Sequence, residues 1–217
     1  MRRRSPLLVL VAVLALLGGA CAGDGELGGP AVGGTPAAVI GDHEVTNADL
    51  RDEVEEWSAN PAMLQAIGIT DLGTEGRRTT QVVSFVLSHR VVSEQARLML
   101  LEARRLADGG EVDLAELGVD GEVLADPTDE EIDAILGQLD QQFASPQGGS
   151  VFQAFPEDFR QLLARDLAFQ DRLQTMVQLG IDAPEVSVNP RFGVADVLQG
   201  GIVQVTPPTG PLPSLGA

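Results

Sequence analysis

Gln81-Val-Val-Ser-Phe-Val-Leu-Ser-His-Arg-Val-Val92 sits inside the longest stretch of the chain that reads as one uninterrupted element, from about Thr79 to Ala107. Val82, Phe85, Val86, His89, Val92, Ala96, Leu100 and Ala103 recur at the periodicity that stacks side chains on one broad face of an α-helix. Leu87, Val91, Leu98 and Leu101 are apolar on the other side. A helix that is apolar over more than half its circumference belongs at the centre of an architecture, because a surface helix carries a single apolar stripe. Asp108-Gly109-Gly110 closes it, glycine being the residue that accepts the left-handed conformation past a helix C-terminus.

Towards the N-terminus, Ala38-Val-Ile40, Gly41-Asp42 and His43-Glu-Val45 read as strand, tight turn and strand. Thr46 with Asp49 three residues on is a capping box, and it starts a helix to about Trp57 with Leu50, Val54 and Trp57 on one face. Asn60-Pro61 breaks that helix, and Met63 to Ile69 reads as another helical turn before a Gly/Thr-rich segment at 68–76. Towards the C-terminus, Thr128 and Glu131 form a second capping box, followed by a helix burying Ile132, Ile135, Leu136, Leu139 and Phe143. Pro156 reads as the first residue of a helix to about Leu179 with Phe159, Leu162, Leu163, Leu173 and Val177 on one face, ended by Gly180. Val186 to Val188 and Ile202 to Val205 are short strand candidates. The fold class expected is mostly α: four to five helices, one long and central, with a small β element pairing N- and C-terminal short strands.

Composition narrows the chemistry. All 14 basic residues of the 217 are Arg, facing 32 acidic ones, with two His, one Cys and no Tyr, for a net charge of −18. A Schiff-base or Walker-A lysine is impossible, and one Cys with two His cannot assemble a Cys/His zinc site. So acidic a chain is a poor partner for nucleic acid, whose phosphates need clustered cations. Hydrophobic content of 44% is that of a chain that folds.

The first residues read as an address. Arg2-Arg-Arg4 and the apolar run Leu7 to Leu17 form a basic n-region and an h-region too short to span a bilayer comfortably. Leu17-Gly-Gly-Ala-Cys21 resembles a bacterial lipobox, with Cys21 the lipidated residue, although Gly18 stands where Leu is common. An ordinary secretory signal with an incidental Cys is the alternative; the absence of any other Cys favours lipidation. Cleavage after residue 20 would leave 11 Arg against 32 acids, a net charge of −21 that anionic headgroups repel, so lipid would have to supply the anchor. Residues 1–20 are thus expected to be a lipoprotein signal peptide and 21–36 a flexible tether. Residues 37–205 are expected to form the helical domain, and 206–217 an unpacked Pro-rich tail. Gly23-x-Gly25-x-x-Gly28 matches a dinucleotide fingerprint only formally, since no strand precedes it and no helix follows.

Taken in order, these pieces resemble a known family. Ala38-Val-Ile-Gly-Asp-His-Glu-Val-Thr-Asn-Ala-Asp-Leu50 is similar to the opening of the SurA/PrsA-type extracytoplasmic foldases. The segment from Gln81 to Val92 resembles their second helix, and Thr128-Asp-Glu-Glu-Ile132 and Phe159-Arg-Gln-Leu-Leu-Ala-Arg-Asp-Leu167 resemble the next two. Val186-Ser-Val-Asn-Pro-Arg-Phe-Gly193 looks like the closing segment of actinobacterial SurA-like lipoproteins. The resemblance implies a SurA N-terminal-type chaperone domain that holds unfolded secreted or envelope proteins, lipid-anchored on the extracytoplasmic face of a bacterial cell membrane. Larger members insert a parvulin isomerase domain for which residues 37–205 leave no segment, so no prolyl isomerase activity, and no enzyme, is expected. A scaffold lipoprotein binding one dedicated envelope partner is the alternative.

Individual groups follow the same reading. His89, inside the apolar stripe, is expected to be a hydrogen-bonded core or groove-edge residue, and His43, beside the turn, to be solvated. Gly148-Gly149-Ser150-Val151-Phe152 lacks the closing Gly of a nucleophile elbow. Asp126, Asp129, Glu130, Glu131 and Asp133 lack EF-hand spacing and suit a helix N-terminus. No cofactor, metal or small-molecule substrate is indicated. Trp57, Met63, Met99, Phe152, Phe155 and Met176 are the candidate client-binding residues, because flexible and aromatic apolar groups suit promiscuous binding. Within that set Trp57 and Met99 also suit a core, while Phe152 and Phe155, in a Gly/Ser/Pro loop, are the better exposed contacts.

Overall fold

The structure, a computed structural model, describes residues 36–70, 80–110, 112, 121–146 and 148–207. The signal peptide, Cys21, most of the tether, part of the Gly/Thr-rich segment and most of the Pro-rich tail lie outside these residues. The fold is mostly helical with small antiparallel sheets. In order come β1 (Ala38–Ile40), β2 (His43–Val45), α1 (Asn47–Ala59), α2 (Pro61–Ala66) and α3 (Thr80–Asp108). They are followed by α4 (Asp129–Gln142), α5 (Glu157–Gln178), β3 (Val186–Val188), β4 (Val194–Val197) and β5 (Val203–Thr206). No helix among the described residues is long and apolar enough to cross a membrane.

The stretch 37–205 resolves into two compact units, each discontinuous in sequence, and α3 passes from one to the other at Val91–Val92. The first unit comprises the described residues up to Val91 with 186–197 and 203–207. Its sheet has the order β2-β1-β3, all antiparallel, with Ala38 opposite Val45 on one side and Val188 on the other. Gly41, at φ 56°, lets two residues close the β1–β2 turn. Ala38 and Ile40 point into the core, as the period of two requires. Both halves of the first capping box are present: Thr46 Oγ1 accepts from the Asp49 amide at 3.1 Å, and Asp49 accepts from the Thr46 amide at 3.2 Å. Leu50, Val54 and Trp57 of α1 are buried, as are Val82, Val83, Phe85 and Val86 of α3. Trp57 meets Phe85 edge-on at 4.9 Å.

The return of the C-terminal chain to the N-terminal strand is made by β3. The other C-terminal candidate, Ile202 to Val205, becomes β5 and pairs antiparallel with β4, a strand that the sequence pattern does not announce. Val194 and Val197 of β4 are exposed, so its pairing is a backbone matter with no alternating apolar face to reveal it. Two serines one turn apart on α3 hold this part of the chain. Ser84 Oγ donates to Phe192 O at 2.6 Å, and Ser88 Oγ accepts from the Val205 amide at 3.0 Å. Gly193 passes so close that an added Cβ would lie 2.3 Å from Val205 Cγ1.

The second unit comprises the described residues of 92–185 with 198–202. Met99, Leu100, Ala103, Leu124, Met176 and Ile181 form a continuous core cluster. Helix α4 carries the second capping box, with Thr128 and Glu131 bonded reciprocally at 3.2 and 2.8 Å, and buries Ile132, Ile135 and Leu139. Helix α5 begins one residue later than expected. Pro156, at ψ 149°, is its N-cap rather than its first helical residue, and its carbonyl accepts from the Arg160 amide at 3.0 Å. Leu162, assigned to the buried face, and Leu101, on the second apolar side of α3, are both exposed. Gln95 of α3 donates to Pro184 O at 3.2 Å and Gly201 O at 3.3 Å, tying down the backbone on either side of the chain's excursion into the first unit.

Candidate functional site

None of the six residues nominated as client contacts is more than 3% exposed: Trp57, Met63, Met99, Phe152, Phe155 and Met176 are all core. The expectation fails most clearly for Phe152 and Phe155, and the reason is the geometry of the preceding loop. Gly148 and Gly149, at φ 96° and 75°, turn the chain back on itself, and an Ala144–Ser150 bridge closes the reversal. Ser150 Oγ then accepts from the Phe152 amide at 3.1 Å, starting a 3-10 turn over Val151–Ala154. The turn drives Phe152 inward, where it meets Phe155 at 5.9 Å, which in turn meets Phe159 at 5.2 Å, each edge-on. The Gly/Ser/Pro loop thus places Phe152 and Phe155 in an aromatic cluster rather than at the surface. His89 is buried in the first unit, with Nδ1 3.7 Å from Glu53 Oε1 and Trp57 beside its ring, while His43 is exposed.

What the second unit leaves open is a cavity of about 490 Å³ lined by Arg97, Leu100, Leu101 and Arg104 of α3, Asp126 and Pro127, and Arg165 and Phe169 of α5. Its α3 wall is a symmetrical stripe: Arg97 and Arg104 are seven residues apart, with Leu100 and Leu101 between them at helical spacing. Arg165 and Phe169, four apart on α5, repeat the same pairing of a cation with an apolar group. Arg97 gives Nε and Nη2 to Glu94 at 3.0 and 2.6 Å, and this hydrogen-bonded pairing raises its pKa further. Arg104 gives Nε to Leu124 O and Nη2 to Asp126 at 2.7 Å. A guanidinium has five N–H donors, and these bonds use two on each arginine. Arg165 has no carboxylate within 4.0 Å among the described residues and is exposed. In a chain of net charge −18, the described lining of this cavity combines three arginines and one aspartate with the apolar Leu100, Leu101, Pro127 and Phe169.

A second cavity of about 360 Å³ has the opposite character, lined by Glu122, Glu131, Asp171 and Arg172 together with Val123, Ala134, Ile135, Gln138 and Ala168. Arg172 is buried, its single Nη2 reaching both oxygens of Glu131 at 3.1 and 3.0 Å while Nη1 donates to Ala168 O at 2.7 Å. Partial desolvation acts to raise the Glu131 pKa, but the Thr128 amide, Arg172 and the Thr128 hydroxyl outweigh it and the net shift is downward. Asp171 moves the other way: desolvation by the cavity walls raises its pKa, Arg172 offsets part of the rise, and Glu131 adds to it. Glu131 is thus cap, salt-bridge partner and cavity wall at once. Among the described residues no group of three or more His, Cys, Asp or Glu is placed to hold a metal ion. Asp126, Asp129, Glu130 and Glu131 serve instead as partners of Arg side chains and of the α4 N-terminus.

No protein-family model, no curated protein and no solved structure matches the chain.

Proposed function

We propose that this chain is a lipid-anchored extracytoplasmic holdase, binding unfolded secreted or envelope proteins without isomerising them, in the manner of the SurA N-terminal-type domains it resembles in sequence. The observation that carries the reading is the solvent-open cavity bounded by Arg97, Leu101, Arg104, Arg165 and Phe169. It joins an apolar floor to long cationic side chains, and such side chains adapt to varied ligands because their stems pack while their heads turn. The acidic remainder of the surface keeps a protein with such a site soluble and its copies apart. Cys21 is the attachment point of the lipid in this reading, and Cys21→Ser should move the protein from the membrane to the soluble fraction.

The test is suppression of aggregation for several unrelated unfolded proteins at stoichiometric ratios, alongside a proline-isomerisation assay. Suppression across the panel with no acceleration of isomerisation is the expected result. Failure across the panel, with tight and saturable binding to a single envelope protein, would establish the scaffold alternative in its place.

A further inference from the structure

We infer that the arginine-walled cavity is a carboxylate-capture site, and that its occupant is the C-terminal end of an extended peptide whose last residues are apolar. The inference deepens the holdase reading by naming the chemical class of client segment that this one site takes. Among the described residues, three arginines line the cavity against one carboxylate, Asp126. Glu94 takes Nε and Nη2 of Arg97, Leu124 O and Asp126 take Nε and Nη2 of Arg104, and Arg165 carries no ion pair among the described residues. An incoming carboxylate therefore finds cationic donors without breaking either existing pair. A planar guanidinium binds a carboxylate bidentately, which a lone apolar patch or an ammonium group does not do.

The floor supplies the second half of the recognition. Leu101 is 44% exposed on α3, although it belongs to the helix that carries the core, and Phe169 stands on the facing wall. An exposed leucine that lines the same cavity as an aromatic ring gains by being covered with an apolar side chain. The volume, about 490 Å³, falls within the range of pockets that enclose small ligands. It suits one or two terminal residues better than a long internal segment. The charge outside the cavity works as selection. A chain of −18 repels polyanionic ligands, so a ligand with one carboxylate next to apolar groups is favoured over a densely acidic peptide.

The experiment is fluorescence anisotropy with the full chain and an N-terminally fluorescein-labelled hexapeptide ending in Ala-Leu, as the free acid and as the C-terminal amide. The free acid should bind at least about ten-fold more tightly than the amide, the scale of one charge-assisted hydrogen-bonded contact. Its affinity should fall as salt rises. Arg165→Gln, at an exposed position, should remove most of the difference between acid and amide, and Leu101→Ser should weaken both peptides. Arg51→Gln, an exposed arginine paired with Asp52 in the first unit, should change neither. Equal binding of acid and amide, or an unchanged preference in Arg165→Gln, overturns carboxylate capture. Displacement of the peptide by decanoate at lower concentration than by unlabelled peptide overturns the peptide as occupant in favour of a lipid acid. Aggregation suppression that persists while neither peptide binds refutes this inference and leaves the holdase reading standing. Acid-selective binding without any suppression sustains the inference and refutes the holdase.

Discussion

Phe152→Ala separates a core side chain from an exposed client contact, because the two roles differ by several kcal/mol. Phe152 retains 1% of its accessible surface and packs edge-on to Phe155 at 5.9 Å. A buried aromatic side chain removes roughly 150–250 Å² from water, which at about 25 cal/mol per Å² is an upper bound of roughly 4–6 kcal/mol. Ala keeps Cβ, and the denatured chain already covers part of that surface, so the transfer loss is smaller. The cavity left beside Phe155 adds a further cost, because a packed aromatic cluster relaxes only partially. Together these give about 3–5 kcal/mol of destabilisation. Urea unfolding followed by far-UV circular dichroism reads it directly: with a slope of about 2–3 kcal/mol per M, the midpoint should fall by about 1 M or more. An exposed contact would move stability by no more than about 0.5 kcal/mol. A midpoint unchanged within that range, in a folded variant that has lost client binding, would refute the packing argument and restore Phe152 as a contact residue.

Gly193→Ala should destabilise the first unit by about 1–3 kcal/mol, since its Cβ would lie 2.3 Å from Val205 Cγ1 and 2.8 Å from the Thr206 carbonyl, and the latter is backbone that cannot swing aside. A thermal midpoint equal to that of the parent would show that the β4–β5 hairpin does not approach Gly193 so closely. The pH dependence of stability should carry two opposed contributions from the acidic cavity. Asp171 has a raised pKa, so the folded chain holds its proton more tightly than the unfolded one. Its contribution is fully present below the ordinary value of 3.8 and is lost as pH rises through the raised value. Glu131 has a lowered pKa, so its contribution is present above the ordinary 4.5 and is lost as pH falls through the lowered value. Asp171→Asn should therefore raise stability at neutral pH relative to the parent, and Glu131→Gln should lower it there and flatten the acid limb. Chemical denaturation at several pH values checks both, and a loss of neutral-pH stability in Asp171→Asn would reverse the assigned sign for that group.

The capping boxes at Thr46–Asp49 and Thr128–Glu131, the Gly41 turn and the length of α3 were all legible in the sequence, and the physical reason is locality. Each depends on hydrogen bonds or steric preferences between residues no more than four positions apart, so the residue types alone specify them. Periodicity also placed Val82, Phe85, Val86 and Leu100 in the core. It could not say what would cover each face, and so Leu101 and Leu162, apolar by type and in register, ended exposed while Phe152 and Phe155 turned inward. The Arg97–Arg104 stripe was present in the sequence as a spacing of seven around two leucines. Its meaning as a site depends on Arg165 and Phe169 facing it from another helix. The tertiary structure likewise decided the strand partners, since β4 carries no alternating pattern and β5 is held by Ser88, 117 residues away. Sequence thus determines which short segments become helix, turn or strand, because those contests are settled between neighbours. Packing decides which side chains a ligand can reach, because burial depends on segments that only the folded chain brings together.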